Sequence, residues 1–126
     1  MKILLDTHVV IWAMYDLSRL DQDSYDLLKN INNALYVSSI SFVEIEIKRS
    51  LGKLTIPNGY DDYIASLGFQ ILPFNEKHAL CLGQLPYIHK DPFDRMLVAQ
   101  CIIENSALMT KDYYLEKYNI NCLLLK

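Results

Sequence analysis

The chain alternates short apolar runs with longer stretches in which apolar residues recur at helical spacing. "KILLD" opens with an unbroken apolar run of the kind that forms a strand buried on both faces. "HVVIWAM" follows and predicts a helix of a turn or two. In "LDQDSYDLLKNINN", Leu20, Leu27, Leu28 and Ile31 fall at helical spacing among polar residues. "ALYVSS" reads as a second strand, "SFVEIEIKRSLGK" as a helix ending near Gly52, and "DDYIASLG" as a short helix. "FQILPF" is a third strand stopped by Pro73, and "EKHALCLGQL" another helix. "PFDRMLVAQCIIENS" is apolar around most of its circumference, which marks a helix packed against a sheet, and "ALMTKD" and "INCLLL" supply two closing strands. Strands alternating with helices predict an α/β domain, a parallel sheet of about five strands covered by helices. No repeat or linker interrupts it, so residues 1–126 are expected to form one domain.

In an open α/β sheet, ligands bind beyond the carboxyl ends of the strands, and helices that follow strands begin there too. Asp6 directly follows the first strand and Asp112 follows "ALMTK", while Glu44 lies near the start of the helix after the second strand. Each also reads as an ordinary helix cap. Asp6 would cap the helix starting near His8, Asp112 would cap "YYLEKY", and Ser41 with Glu44 spells the S-x-x-E capping box. Likewise "DPFDR" places Asp91 at an N-cap, Pro92 at the first helical position and Asp94 at the third, where exposed N–H groups favour a carboxylate. Glu44 borders the stripe of Ile40, Val43, Ile47 and Leu51, with Glu46, Arg49 and Lys53 opposite, and is expected to point inward.

Gathering such acids in one cleft is costly, because like charges raise one another's pKa and burial adds a desolvation penalty. A divalent cation removes that cost. Hard oxygen ligands suit Mg²⁺ or Mn²⁺, and the chemistry such a site implies is phosphodiester hydrolysis. Asp91 is assigned to capping its helix and holding Asp94 in place.

With 126 residues, 52% of them hydrophobic and 21% charged, the chain can bury a proper core. A net charge of −3 and a pI near 5.5 argue against a broad basic nucleic-acid-binding face and leave local basic patches open. Cys81, Cys101 and Cys122 form no CxxC pair and are expected as reduced thiols, Cys101 and Cys122 buried. His8, His78 and His89 show no zinc-type spacing, which gives an imidazole or thiolate metal site little support. The apolar N-terminal stretch is interrupted by Asp6 with no cleavage site after it, so no signal peptide is expected. No run approaches membrane-spanning length. A cytoplasmic location without membrane attachment is the expectation.

"LLDTHVVIWA", "VSSISFVEIEIK", "DPFDRMLVAQ" and "LMTKD" resemble, in order and spacing, the motifs of PIN-domain ribonucleases, and most closely those of VapC-type toxins of bacterial toxin–antitoxin pairs. The resemblance runs from Lys2 to Leu124. It implies a three-layer α/β/α domain and a Mg²⁺- or Mn²⁺-dependent endoribonuclease site. Asp6 and Asp94 would be the principal metal ligands, Glu44 and Asp112 would complete the site or bind through water, and Thr7 and Thr110 match the small polar positions beside the first and last acids. The resemblance further implies an RNA substrate, a homodimer and a cognate antitoxin held over the site. "VVIWAMYD" and the helix bearing Phe42 and Ile45 are candidate contact surfaces, or equally plain core. Lys48, Arg49, Lys53, Lys90 and Arg95 are candidates for steering phosphates, Arg95 foremost because it adjoins Asp94.

Two other readings stay open at this stage. A phosphotransfer domain, receiver-like or an aspartyl phosphatase, would share the aspartate after the first strand. It would also want a second acid where His8 stands, or an acceptor aspartate after "FQILPF". A non-catalytic binding module would use all the acids as caps.

Overall fold

The apolar runs become the strands of one sheet in the computed structural model, which describes residues 1–126. These are β1 (Lys2–Leu5), β2 (Ala34–Ser38), β3 (Gln70–Leu72), β4 (Ala107–Thr110) and β5 (Cys122–Leu124). They lie in the order β3-β2-β1-β4-β5, and every neighbouring pair is parallel. In β1, Ile3 stands between Leu35 and Ala107, and Leu5 between Val37 and Met109. Alternation along each strand sends Ile3, Leu5, Leu35, Val37 and Met109 to one face and Leu4, Tyr36 and Leu108 to the other.

Six helices cover those faces: α1 (Thr7–Tyr15), α2 (Gln22–Lys29), α3 (Ser39–Ser50), α4 (Tyr60–Ser66), α5 (Glu76–Leu82) and α6 (Pro92–Glu104). On the first face the strands meet Val9, Val10 and Met14 of α1, Ile45 of α3 and Ile64 of α4. On the second they meet Leu97, Val98 and Cys101 of α6, with Leu115 and Tyr118 closing the cluster. The result is the expected three-layer α/β/α fold. Leu4, Leu97 and Leu108 are fully buried, each stabilising the fold by about 1.5–3 kcal/mol.

The strand order decides where a ligand can sit. The chain runs outward from β1 through β2 to β3, then returns to the other side of β1 for β4 and β5. The carboxyl ends of β1 and β4 therefore flank a topological switch point. The Asp6 N–H continues the ladder past β1 by donating to the Met109 carbonyl at 2.9 Å, which fixes Asp6 at the crevice.

Local details depart from the sequence-based expectations. Ser41 and Glu44 do not form a capping box, because β2 runs straight into α3 and the N-cap is Ser38, whose hydroxyl accepts from Ile40 N–H at 3.0 Å. Ser41 sits one turn inside the helix, and its hydroxyl pairs with that of Thr7 at 2.8 Å. Ile31 is 96% exposed, since α2 has ended at Lys29. Of the expected stripe, Ile40 packs against the second core cluster while Val43, Ile47 and Leu51 face outward, and α3 buries Ser41, Glu44 and Ile45. Glu44 does point inward, but as part of that different face. Cys101 is buried and Cys122 only half-buried, and all three cysteines are free thiols. Of the candidate contact surfaces, Val9, Val10, Met14 and Ile45 are core, and Phe42 stacks on Tyr60. No helix is long and apolar enough to cross a membrane.

Candidate metal centre

Asp6 caps α1 and faces the crevice at the same time. Its Oδ1 accepts the His8 N–H at 2.8 Å, the capping bond expected from the sequence, and its Oδ2 accepts the Thr110 hydroxyl at 2.8 Å. Thr110 Oγ1 in turn accepts the Asp112 N–H at 3.0 Å, so the ends of β1 and β4 are tied through one hydroxyl. This is the work of the small polar residue before the last acid. The His8 ring stands 3.5 Å from Asp6, and its pKa is raised by its hydrogen bond to Asp6, against the opposing effect of burial, with help from the Asp6 and Glu44 charges.

Asp91 is the N-cap of α6, accepting the N–H groups of Phe93 at 2.8 Å and Asp94 at 3.4 Å, with Pro92 opening the helix. That turn presents Asp94 to the crevice. The Asp94 carboxylate takes no hydrogen bond from the protein; the His89 Nε2 atom lies 3.7 Å from it. Burial drives its pKa up from 3.8 to about 7, and the charges of Asp6, Asp91 and Glu44 add to the rise while His89 opposes it. Asp112 caps the 3₁₀ turn Tyr113–Lys117 through Oδ1, which accepts the Tyr114 N–H at 3.0 Å, and its Oδ2 meets His89 Nε2 at 2.7 Å.

Asp6, Asp94 and Asp112 line one open cavity of about 350 Å³, together with His8, Trp12 and Lys111. Ligand-capable atoms of His89, Asp94 and Asp112 all lie within 4.8 Å of one another. Glu44 is nearly fully buried beside this cavity without lining it, and its Oε2 pairs with Lys48 Nζ at 2.6 Å. Its charge still reaches Asp94 and His8. Lys48, its own pKa raised by that hydrogen bond and by the Glu44, Asp91 and Asp94 charges, is a fixed cation at one flank of the acids.

The structure adds one residue to the acid cluster and redistributes the cations. An imidazole does join the acid cluster: His89 reaches it from the loop before α6, although no zinc-type spacing marks it. Its position two residues ahead of Asp91 was the available signal, because the turn that aims Asp94 aims His89 as well. The cations also divide differently. Lys48 pairs with Glu44 and Arg49 with Glu46, while Arg95 donates to the Pro86 carbonyl and the Tyr118 hydroxyl. The cation lining the cavity is Lys111, which the sequence reading passed over although it adjoins Asp112.

The donor set fits a hard divalent cation. Three carboxylates share one solvent-open cavity, and Asp94, buried among like charges, accepts no hydrogen bond. A three-layer parallel α/β/α domain with acids converging over its switch point is an arrangement suited to holding such a cation beside a phosphate. Residues 3–121 match the PIN domain family, and the chain belongs to that family. PIN domains are generally nucleases and typically use a divalent metal.

No curated protein matches the sequence. Solved structures share the fold at low identity. VapBC2 from Rickettsia felis, bound to a DNA fragment from its promoter, aligns with a TM-score of 0.71 at 18% identity over 100% of both chains. DNA-bound VapBC from Salmonella typhimurium aligns at 0.66 and 17% identity over 98% of this chain and 97% of that one. FitAcB from Neisseria gonorrhoeae aligns at 0.62 and 19% identity over 96% of each.

Proposed function

We propose that this chain is the toxin of a toxin–antitoxin pair, a VapC-type endoribonuclease dependent on Mg²⁺ or Mn²⁺. The observation that carries the reading is Asp94: a carboxylate buried among Asp6, Asp91 and Glu44 with no donor of its own, in a cavity shared with Asp6 and Asp112. Such an arrangement is unfavourable unless a cation completes it. Asp94 and Asp6 are the proposed principal ligands, since both face the cavity from rigid element ends. Asp112 completes the site, and Glu44 acts from its flank through its charge and its pairing with Lys48.

When bound, the cation supplies charge neutralisation at the scissile phosphate and activation of a water molecule. The chain's own residues do the rest. Thr110 holds Asp6 and the Asp112 backbone in register, Asp91 sets the orientation of Asp94, and Lys111 offers a positive charge at the cavity wall for an RNA phosphate. Trp12, with Lys111 and Arg19 each within 6 Å of its ring centre, places an aromatic surface beside that charge.

Partnership has its own support. The similar structures named VapBC are complexes with DNA, which favours an antitoxin partner here. An apolar cavity of about 280 Å³ between α1, α2 and α4, walled by Leu17, Leu28, Tyr63 and Phe69, suits an apolar segment of such a partner. The exposed stripe of Val43, Ile47 and Leu51 suits a second copy of this chain. The test is cleavage of RNA with Mg²⁺ or Mn²⁺, with and without EDTA, by the wild type and by Asp6→Asn and Asp94→Asn. Metal-dependent cleavage lost in both variants supports the reading, and cleavage indifferent to all three changes defeats it.

A further inference from the structure

The loop between α5 and α6 is pinned where it passes the acids. The His89 N–H donates to the hydroxyl of Tyr118 at 3.0 Å, and Arg95 Nη1 donates to the same hydroxyl at 3.1 Å and to the Pro86 carbonyl at 2.9 Å. Tyr118 is almost fully buried, so this anchor belongs to the core. Arg95 also lies over the Tyr87 ring, 4.8 Å from its centre. The His89 backbone is therefore held at a fixed distance from the crevice.

The orientation of the ring follows from one bond. His89 Nδ1 lies 3.0 Å from the Asp91 nitrogen, whose N–H donates to it. A ring nitrogen that accepts a hydrogen bond carries no proton, so the neutral ring must carry its proton on Nε2. That Nε2–H faces Asp112 Oδ2 at 2.7 Å, with Asp94 Oδ2 at 3.7 Å. Nε2 then has no lone pair to offer a cation, because a ring accepting at both nitrogens would be an imidazolate anion among carboxylates. Proximity to Asp94 and Asp112 makes His89 look like a ligand, whereas its hydrogen bonds make it a donor.

We infer that His89 is a positioning residue whose Nε2–H, directed by the Asp91 backbone, holds the Asp112 carboxylate in place rather than binding the metal. With Oδ1 on the Tyr114 N–H and Oδ2 on His89, Asp112 is held at both oxygens. Asp94 keeps its lone pairs free for the cation. The activity consequences rest on the nuclease reading above; the proton location does not.

Two measurements test this. In metal-free wild type labelled with ¹⁵N at histidine, at pH 8, the His89 signals should show a protonated Nε2 and a bare Nδ1, and should keep that pattern when Mg²⁺ is added. A proton on Nδ1, or loss of the Nε2 proton as Mg²⁺ binds, overturns the inference. In RNA cleavage with Mn²⁺, His89→Gln can still offer an N–H towards Asp112 and should retain most of the wild-type rate. His89→Asn can satisfy only the Asp91 N–H and should fall by about 10- to 100-fold, the usual cost of losing a group that orients a ligand. Equal losses in both, or a better Asn variant, overturn it. If the wild type cuts no RNA, the proposed function falls and the NMR pattern alone decides the role of His89.

Discussion

His78 and His89 each accept a backbone N–H at Nδ1, from Asn75 and Asp91, both at 3.0 Å, and each points Nε2 at a carboxylate, Glu104 at 2.8 Å and Asp112 at 2.7 Å. Their surroundings differ. His78 is fully buried and joins the start of α5 to the end of α6, with one acid as partner, so every polar atom of its ring is satisfied. His89 is partly exposed and has a second carboxylate within 4 Å that accepts no hydrogen bond. The same local bonding makes a staple at one end of α6 and part of the acid cluster at the other. What separates them is the electrostatic balance of the neighbourhood, which no single hydrogen bond reveals.

The largest expected break in this comparison comes from the acids. Under the proposed function Asp94→Asn should remove charge stabilisation of several kcal/mol in the transition state, so metal-dependent RNA cleavage should fall by about a thousandfold, whereas Glu104→Gln at the other pair should leave cleavage near wild type. Rates measured under single-turnover conditions check this, and a comparable loss in both variants would erase the distinction.

Next in size is the pH dependence of the metal-free fold. In the unfolded chain Asp94 ionises near 3.8, and in the folded chain near 7. Between those values the folded protein keeps a proton that the unfolded chain has released, so stability falls as pH rises through this window and levels off above it. The Asp94 contribution amounts to roughly 4 kcal/mol at most. Urea melts without metal should show this decline in the wild type and a flatter profile in Asp94→Asn, which should be the more stable of the two at pH 8. A wild-type profile that rises from pH 4 to 7 relative to the variant contradicts the electrostatic account.

His78→Ala should cost about 3 kcal/mol, through a cavity and a lost hydrogen bond to a charged partner, with the cleavage rate per folded molecule unchanged. Denaturant midpoints and active-fraction assays together check that separation. Smallest is Asn75→Ala, which removes the cap that α5 shares reciprocally with His78 and should lower stability by about 1 kcal/mol without touching cleavage. A loss of cleavage there would connect the staple to the site after all.

Much of the architecture was legible because it rests on local pattern. The runs around Ile3, Leu35 and Leu108 alternate between two buried faces, and Asp91-Pro92 marks the start of α6 in the chain itself. Asp6, Asp94 and Asp112 could be named because each follows a strand or opens a helix at the carboxyl edge. Glu44 was expected inward for a reason the structure mostly reverses: three of the four residues of the stripe it was assigned to, Val43, Ile47 and Leu51, are exposed. Lys111 was overlooked and His89 set aside because their significance lies in what they face, and no spacing along the chain encodes that.

By itself the sequence determined the order and type of the elements, the caps at Asp6, Asp91 and Asp112 and the family, since these depend on neighbours a few residues away and on the period of apolar positions. The tertiary structure decided which acid is left unpaired, which cations reach the cluster and where the proton on His89 sits. Those properties arise from groups far apart in the chain, as between Asp6 and Thr110 or His89 and Asp112, brought within hydrogen-bond distance at one edge of the sheet. Burial and Coulomb interactions act through space, and only the fold sets those distances.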